Sequence, residues 1–378
     1  MKITIVQGAF LPVPPLRGGA IEKIWFALGQ EFARRGHTVT HLSRRFAGLP
    51  NEETIGGVRH RRIRGHDAPR SLLVLKFFDL LYSARIIPKL PPADILVTNT
   101  FWLPVLLRSA RRGQLYVHVA RYPRGQMRFY GHAARLQTVS QAILHAMVAE
   151  APQLADRIRS IPLPVGPHSA PVPPVARRRE ILYVGRIHPE KGIHLLIEAF
   201  GRLPAASLGD WRLVIVGPAA ANAGGGGEGF AAELKRLAEP LGDRVEWVGP
   251  VFDTAELDGF YARASLFIYP SIAERGETFG VAPLEAMACG CPPLVSALEC
   301  FREFVEEDAS GFIFNHRAAD PVQALADQLA LLLGTPEKLA QTGARAAVRA
   351  QDFSVERIAS AYLEDFQSLC AHPQLSAA

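Results

Sequence analysis

Arg186 and Lys191 follow an apolar run that ends at a glycine, in Leu182-Tyr183-Val184-Gly185-Arg186-Ile187-His188-Pro189-Glu190-Lys191-Gly192. A buried strand that runs into such a turn, with a helix starting at Ile193, gathers two cations and free helix amides around one anion. A diphosphate suits that geometry best. Strand-end cations that are merely solvated at the surface would carry the same letters.

A second block is Glu274-Arg275-Gly276-Glu277-Thr278-Phe279-Gly280-Val281-Ala282-Pro283-Leu284-Glu285-Ala286-Met287-Ala288-Cys289-Gly290. Glu277 precedes a glycine-containing turn, and Glu285 lies in the first turns of the helix beyond it, among apolar neighbours. A carboxylate there is costly to bury unless something hydrogen-bonds it. The two hydroxyls of a sugar diol match its two oxygens, whereas the plainer reading is a helix-start charge favoured by the dipole. Gly280 lets backbone amides approach a ligand closely. The turn Pro14-Pro15-Leu16-Arg17-Gly18-Gly19-Ala20 gives similar access at a sheet edge, although a tight turn alone would also use its glycines. His118, in Val117-His118-Val119 at a strand end, belongs to the same rim or is structural.

These residues need a scaffold that brings loops together, and apolar runs alternating with amphipathic helical patterns predict one. In the first half, 3–6, 38–42, 95–98, 115–119 and 136–139 read as strands, with a helix over 20–35 stopped by Gly36. The proline-dense stretch from Ile161 to Pro174 reads as a linker. The alternation then resumes with strands at 180–184, 212–216, 245–248, 266–269 and 293–296 and helices at 193–203, 230–241, 254–264 and 283–289, and a last helix covers about 354–369. This predicts an α/β chain of two doubly wound, Rossmann-like domains facing across a cleft, with ligands at strand C-termini. The expected division is 1–165, a linker at 166–177, 178–352, and a C-terminal helix and tail at 353–378. Gly224-Gly225-Gly226-Gly227 lacks both a following Lys-Ser and dinucleotide spacing, so a flexible surface insertion is expected there.

At 378 residues the chain exceeds one ordinary core, and 48% hydrophobic with 21% charged residues excludes a largely disordered protein. The four cysteines, Cys289, Cys291, Cys300 and Cys370, show no C-x-x-C pair and read as reduced core thiols. The N-terminal run is too short for a signal peptide, and no apolar run reaches the ~20 residues of a membrane span. The net charge of +6 conceals a split: residues 1–170 hold 24 Lys and Arg against 9 Asp and Glu, and the remainder 18 against 27. A basic first half attracts an anionic membrane, while zinc-finger spacing and RNA-binding aromatics are absent, so nucleic acid is not expected as a partner.

In order along the chain stand the opening strand with Gly18-Gly19, Arg34-Arg35-Gly36-His37-Thr38-Val39, Thr138-Val139-Ser140, Gly185-Arg186 with Lys191-Gly192, and Glu277-x7-Glu285 running into Ala286-Met287-Ala288-Cys289-Gly290. Together they resemble the GT-B glycosyltransferases, specifically the retaining family 4, nearly end to end. The resemblance implies transfer of a hexosyl unit, with retention, from a nucleoside diphosphate sugar to a lipid-linked or saccharide acceptor, with no cofactor and no obligatory metal. It implies that Arg186 and Lys191 bind the diphosphate and stabilise the departing nucleotide, that Glu277 touches the transferred sugar beside the amides of Phe279, Gly280 and Val281, and that Glu285 holds the ribose. Gly18 and Gly19 would lie against diphosphate and acceptor, His118 would line the reacting centre, and Gly249 and Val251 would meet the base. The expected setting is cytoplasmic, peripheral on the inner membrane face. A non-catalytic nucleotide-sugar sensor or assembly subunit is the alternative reading.

Overall fold

In the computed structural model, which describes residues 1–16, 19–69, 71–107, 112–166 and 177–371, the first apolar run forms β1 (Lys2–Val6). Four of its five side chains are buried, as expected for a strand covered on both faces. β2 (Thr38–Arg44), β3 (Glu52–Ile55), β4 (Val58–Ile63), β5 (Ile95–Thr98), β6 (Gln114–Val119), β7 (Arg135–Thr138) and β8 (Ile158–Ser160) complete one sheet in the order β3-β4-β2-β1-β5-β6-β7-β8. All of its pairs are parallel except β3 with β4.

A second sheet contains β9 (Arg178–Val184), β10 (Arg212–Val216), β11 (Val245–Gly249), β12 (Ala264–Tyr269), β13 (Pro293–Ser296) and β14 (Phe312–Phe314). Its order is β11-β10-β9-β12-β13-β14, parallel throughout. Each sheet has a topological switch point, where successive strands leave in opposite directions: between β1 and β5 in the first, and between β9 and β12 in the second. Open parallel sheets bind ligands beyond the strand C-termini at such points.

Contacts divide the chain into two compact units: Met1–Gly166 with the segment from Ser354 onward, and the stretch between them up to Phe353. The mixed fold of two parallel sheets wrapped in helices is the one expected. Ten residues of the expected linker, 167–176, lie outside the described residues.

The returning helix, Val355–Ala371, is tied to the first unit by aromatic packing and charge. Tyr362 lies 5.1 Å from Trp25, and Phe366 meets Tyr116 edge-on at 4.9 Å. The Arg135 guanidinium donates twice to Asp365, at 3.0 and 2.7 Å, and the Tyr116 hydroxyl donates to the same carboxylate at 3.0 Å.

The structure departs from the sequence reading in several places. The hairpin β3–β4 lies where no strand was expected, and its Arg62 and His60 are buried. The helix Leu72–Ile86 was not expected, because it is apolar nearly all round and shows no single-faced period. Two cysteines do not fit the core assignment: Cys370 is exposed and Cys289 only partly covered, while Cys291 and Cys300 are buried.

Candidate functional site

The chemistry-bearing residues of the second unit stand on either side of its switch point. After β9, Gly185 donates to the Val216 carbonyl at 3.0 Å, and the chain turns through the short helix Pro189–Lys191. Gly192 closes this turn at φ 68°, and a Cβ there would lie 2.0 Å from the Pro270 carbonyl oxygen. Only glycine lets the β9 turn come this close to the end of β12. That approach lets Lys191, seven residues past the end of β9, reach across to the loop after β12.

Lys191 Nζ lies 2.7 Å from Glu277 Oε2, with the two side chains 6% and 9% exposed. The ammonium also sits 5.2 Å from the centre of the Tyr269 ring. Burial first, and then the facing Glu277 carboxylate, raises the Tyr269 hydroxyl well above the ordinary phenol range. A buried ion pair held against an aromatic floor is a preorganised charge.

Arg186 lies at the same mouth but in a different state. It is 43% exposed on its side chain, donates to Glu190 Oε1 at 2.8 Å, and donates to the Gly224 carbonyl at 2.7 Å. Both cations therefore have a carboxylate partner, and sequence reasoning had not paired either one. Glu190, four residues from Arg186, was the available signal. The Gly224–Gly227 run is hydrogen-bonded rather than loose: Gly225 donates to Ala220, Gly226 to Ile187 and Gly227 to Ala219, at 2.7 to 3.0 Å. The expected flexible insertion is thus folded back onto the cation turn.

Glu285 lies within the helix Val281–Ala288 and is buried. The Tyr261 hydroxyl donates to its Oε2 at 3.2 Å, so a protein donor meets part of the need that had suggested a sugar diol. Tyr261 and Tyr269 were both missed, since core aromatics have no signature of their own. Phe279 is packed into the core against Phe304 at 5.2 Å, which leaves its backbone as the part able to meet a ligand. Gly280 caps the helix at φ 92° with no side-chain cap, so the amides that begin at Val281 end in a bare turn.

A further feature was not foreseen. Gly185, Gly217 and Gly249 terminate three adjacent strands, and Gly217 donates to the Gly249 carbonyl at 2.8 Å. A Cβ on Gly217 would come within 1.8 Å of the Gly185 carbonyl oxygen. The three form a side-chain-free ledge beside the cation turn, with Val251 partly covered in the loop that follows.

The remaining residues belong to the first unit. Gly18 lies outside the described residues. Gly19 caps the helix Ala20–Arg34 at φ 94°, and a Cβ there would strike Glu22 Oε2 at 2.3 Å. His118 stands inside the unit rather than on an open rim: it is 4% exposed, its Nδ1 is 2.5 Å from Gln137 Oε1, and Trp25 lies edge-on at 5.4 Å. Burial lowers its pKa to about 4, against the opposing pull of Gln137, so the imidazole is neutral near pH 7. Among the described residues no group of three His, Cys, Asp or Glu side chains could hold a metal ion.

Residues 169–349 match the family model for glycosyl transferases group 1. Among curated proteins, D-inositol 3-phosphate glycosyltransferase of Segniliparus rotundus is 32% identical over 188 residues, 50% of this chain and 39% of that protein. The lipopolysaccharide core biosynthesis mannosyltransferase LpsB of Rhizobium meliloti is 31% identical over 191 residues, 49% of this chain and 50% of that protein. The matched region thus spans half or less of these relatives. Among solved structures, sucrose-phosphate synthase of Thermosynechococcus elongatus superposes with a TM-score of 0.78 at 21% identity, covering 98% of this chain and 100% of that one. Anabaena HepE, crystallised with UDP and glucose, gives 0.73 at 19% identity with the same coverage. The second unit is therefore similar to group 1 glycosyl transferases, and the chain as a whole has the GT-B fold of these solved enzymes.

Proposed function

We propose that this protein is a glycosyltransferase that moves a hexosyl unit from a nucleoside diphosphate sugar to a hydroxyl of a lipid-linked or saccharide acceptor, with retention and without an obligatory metal. The observation that carries the reading is the buried Lys191–Glu277 pair beside Arg186 at the β9/β12 switch point. Breaking the anomeric C–O bond leaves charge on the departing diphosphate. Cations already fixed in place stabilise that charge more in the transition state than in the ground state. Glu277 holds the ammonium in position and offers a carboxylate to the hydroxyls of the sugar. Glu285 would take the ribose, the glycine ledge would admit the base, and the acceptor proton would pass to the leaving phosphate oxygen on the same face. The match to group 1 glycosyl transferases over 169–349, the half expected to hold the donor, supports this assignment.

A thermal-shift panel of UDP-, GDP- and ADP-sugars tests it. A donor present at a hundred times its Kd adds about 2.7 kcal/mol and raises the melting point by several degrees. If no nucleotide sugar raises the melting point and none is turned over with any acceptor, the reading fails.

The same proposal places the first unit on the inner face of an anionic membrane. Leu73, at 82% exposed, and Leu72 and Phe77 stand out on the helix Leu72–Ile86 beside Lys76. Lys76 packs over Phe101 at 4.9 Å, and Arg128 over the exposed Phe129 at 4.8 Å. Residues 64–132 contain eleven Lys and Arg against three Asp and Glu. Exposed apolar side chains set among cations are what an anionic lipid surface retains. Among the described residues no helix is long and apolar enough to cross a membrane. Co-sedimentation with anionic vesicles, lost in high salt, on neutral vesicles and in Leu73→Asp, is the expected result. Binding indifferent to all three would refute the placement.

A further inference from the structure

The switch point of the first unit contains polar groups that the fold does not satisfy. β1 runs into Gln7 and Gly8, β5 runs into Asn99, and Glu22 reaches in from the first turn of the helix Ala20–Arg34. A Cβ built on Gly8 would meet Asn99 Oδ1 at 3.7 Å, Asn99 Nδ2 at 3.9 Å and Glu22 Oε1 at 3.9 Å. One point in space is therefore ringed by an amide and a carboxylate.

Gln7 is 1% exposed and lies against the Glu22 carboxylate, yet outside hydrogen-bond geometry: neither of its amide atoms has a partner among the described residues. Asn99 Oδ1 is likewise buried without one. Leaving such groups unpaired is costly, and each calls for an explanation. Glu22 is 8% exposed, and burial raises its pKa, against the pull of its own amide, Gln7 and Arg121.

The mixture of groups decides the ligand class. A cation site would present acceptors alone, and a phosphate site donors alone. Here Glu22, Asn99 Oδ1 and Gln7 Oε1 accept, while Asn99 Nδ2 and Gln7 Nε2 donate. Hydroxyls do both, and a vicinal diol can donate twice to the carboxylate while accepting from the amides. We propose that the space over Gly8, bounded by Gln7, Glu22 and Asn99, binds the hydroxyls of a neutral polyol and is the acceptor subsite, its role as acceptor site resting on the glycosyl-transfer reading above. The Glu22 carboxylate sets the specificity by disfavouring a phosphorylated group at this point.

Gly8→Ala is the sharpest test, because the added methyl meets only ordinary van der Waals contacts in the free protein while occupying the ligand's position. Glucose, mannose, galactose and myo-inositol, each paired with a phosphate ester, are titrated against the full chain by saturation-transfer NMR. Wild-type protein is expected to bind at least one neutral polyol at least about tenfold more tightly than its ester. Gly8→Ala is expected to lose that binding by at least about tenfold, and Glu22→Gln to weaken it and narrow the gap to the ester. A UDP thermal shift run in parallel reports on the second unit alone, so a failed donor assignment is distinguished from a failed polyol site. The proposal is overturned if no neutral polyol binds, if the esters bind more tightly, or if Gly8→Ala binds as wild type does.

Discussion

If the protein is the glycosyltransferase proposed above, Lys191→Met is expected to lower glycosyl transfer by about 10²–10³-fold, the usual cost of removing one preorganised charge or donor from a developing anion. The substitution keeps the apolar stem against Tyr269 but leaves Glu277 buried without its cation. A stranded charge of this kind destabilises by about 3–5 kcal/mol. The informative protein is therefore the double variant Lys191→Met with Glu277→Gln, which removes both charges at nearly constant shape. It should melt close to wild type and be as inactive as either single change, or more so. The measurement is initial rate with the donor that gives the largest thermal shift, alongside the melting point of each variant. A folded double variant with wild-type turnover would dismiss the pair from the chemistry.

The second large effect is acid lability of the first unit. His41 and His60 face each other across β2 and β4, stacked at 5.3 Å, and none of their four ring nitrogens has a hydrogen-bond partner among the described residues. Burial holds His41 well below the ordinary imidazole range, with His60 and Arg62 adding to the effect. Burial also brings His60 down to about 4, aided by Arg62 and opposed by Glu53. His118 stands at about 4 for the same first reason. Each folded-state pKa lies below the unfolded value, so the unfolded chain takes up protons first as the pH falls. The stability these imidazoles contribute is complete above pH 6.5 and is lost progressively down to about 4. Asp79 works in the opposite sense: burial lifts its carboxyl to about 6 against the amides of Phe101 and Trp102, so it favours the folded state as the pH drops. Glu22, also raised by burial, acts in the same direction as Asp79. At pH 5 the three imidazoles outweigh the two carboxyls, so the net effect of acidification is a loss of stability. Calorimetry from pH 7.5 to 5 should show one transition shifting sharply downward, with a shallower slope in His60→Gln. A transition that stays in place over this range would show that the stacked pair titrates normally.

The cation turn and the Glu277-x7-Glu285 segment were readable because each is local: a strand end, a glycine and a polar side chain within a dozen residues. Their direct contact was not readable. Lys191 and Glu277 are 86 residues apart, and they meet because β9 lies beside β12 in the sheet, an adjacency that no short pattern records. Tyr261 and Tyr269 escaped for the same reason, since their roles exist only once the strands are ordered. The hairpin β3–β4 was hidden by its charged residues: Arg59 and Arg61 both bond Glu52, so the strand pair is held by ion pairs where an apolar alternation would have announced it. β8 and β14, at three residues each, are shorter than any period that could reveal them. In the first unit the glycine turn has a visible pattern, but Gln7 and Asn99 are ordinary polar residues, set apart only because buried side-chain amide atoms of theirs have no hydrogen-bond partner among the described residues.

The docking of Val355–Ala371 against Trp25, Tyr116 and Arg135 has a consequence for how the molecule is made. The first 166 residues leave the ribosome with one aromatic flank uncovered, and the helix that shields it is translated only after the entire intervening sheet. That intervening unit is continuous and can close its own core as soon as it emerges. The packing of the amino-terminal unit can therefore be completed only once the returning segment has been synthesised, after the whole of the second unit.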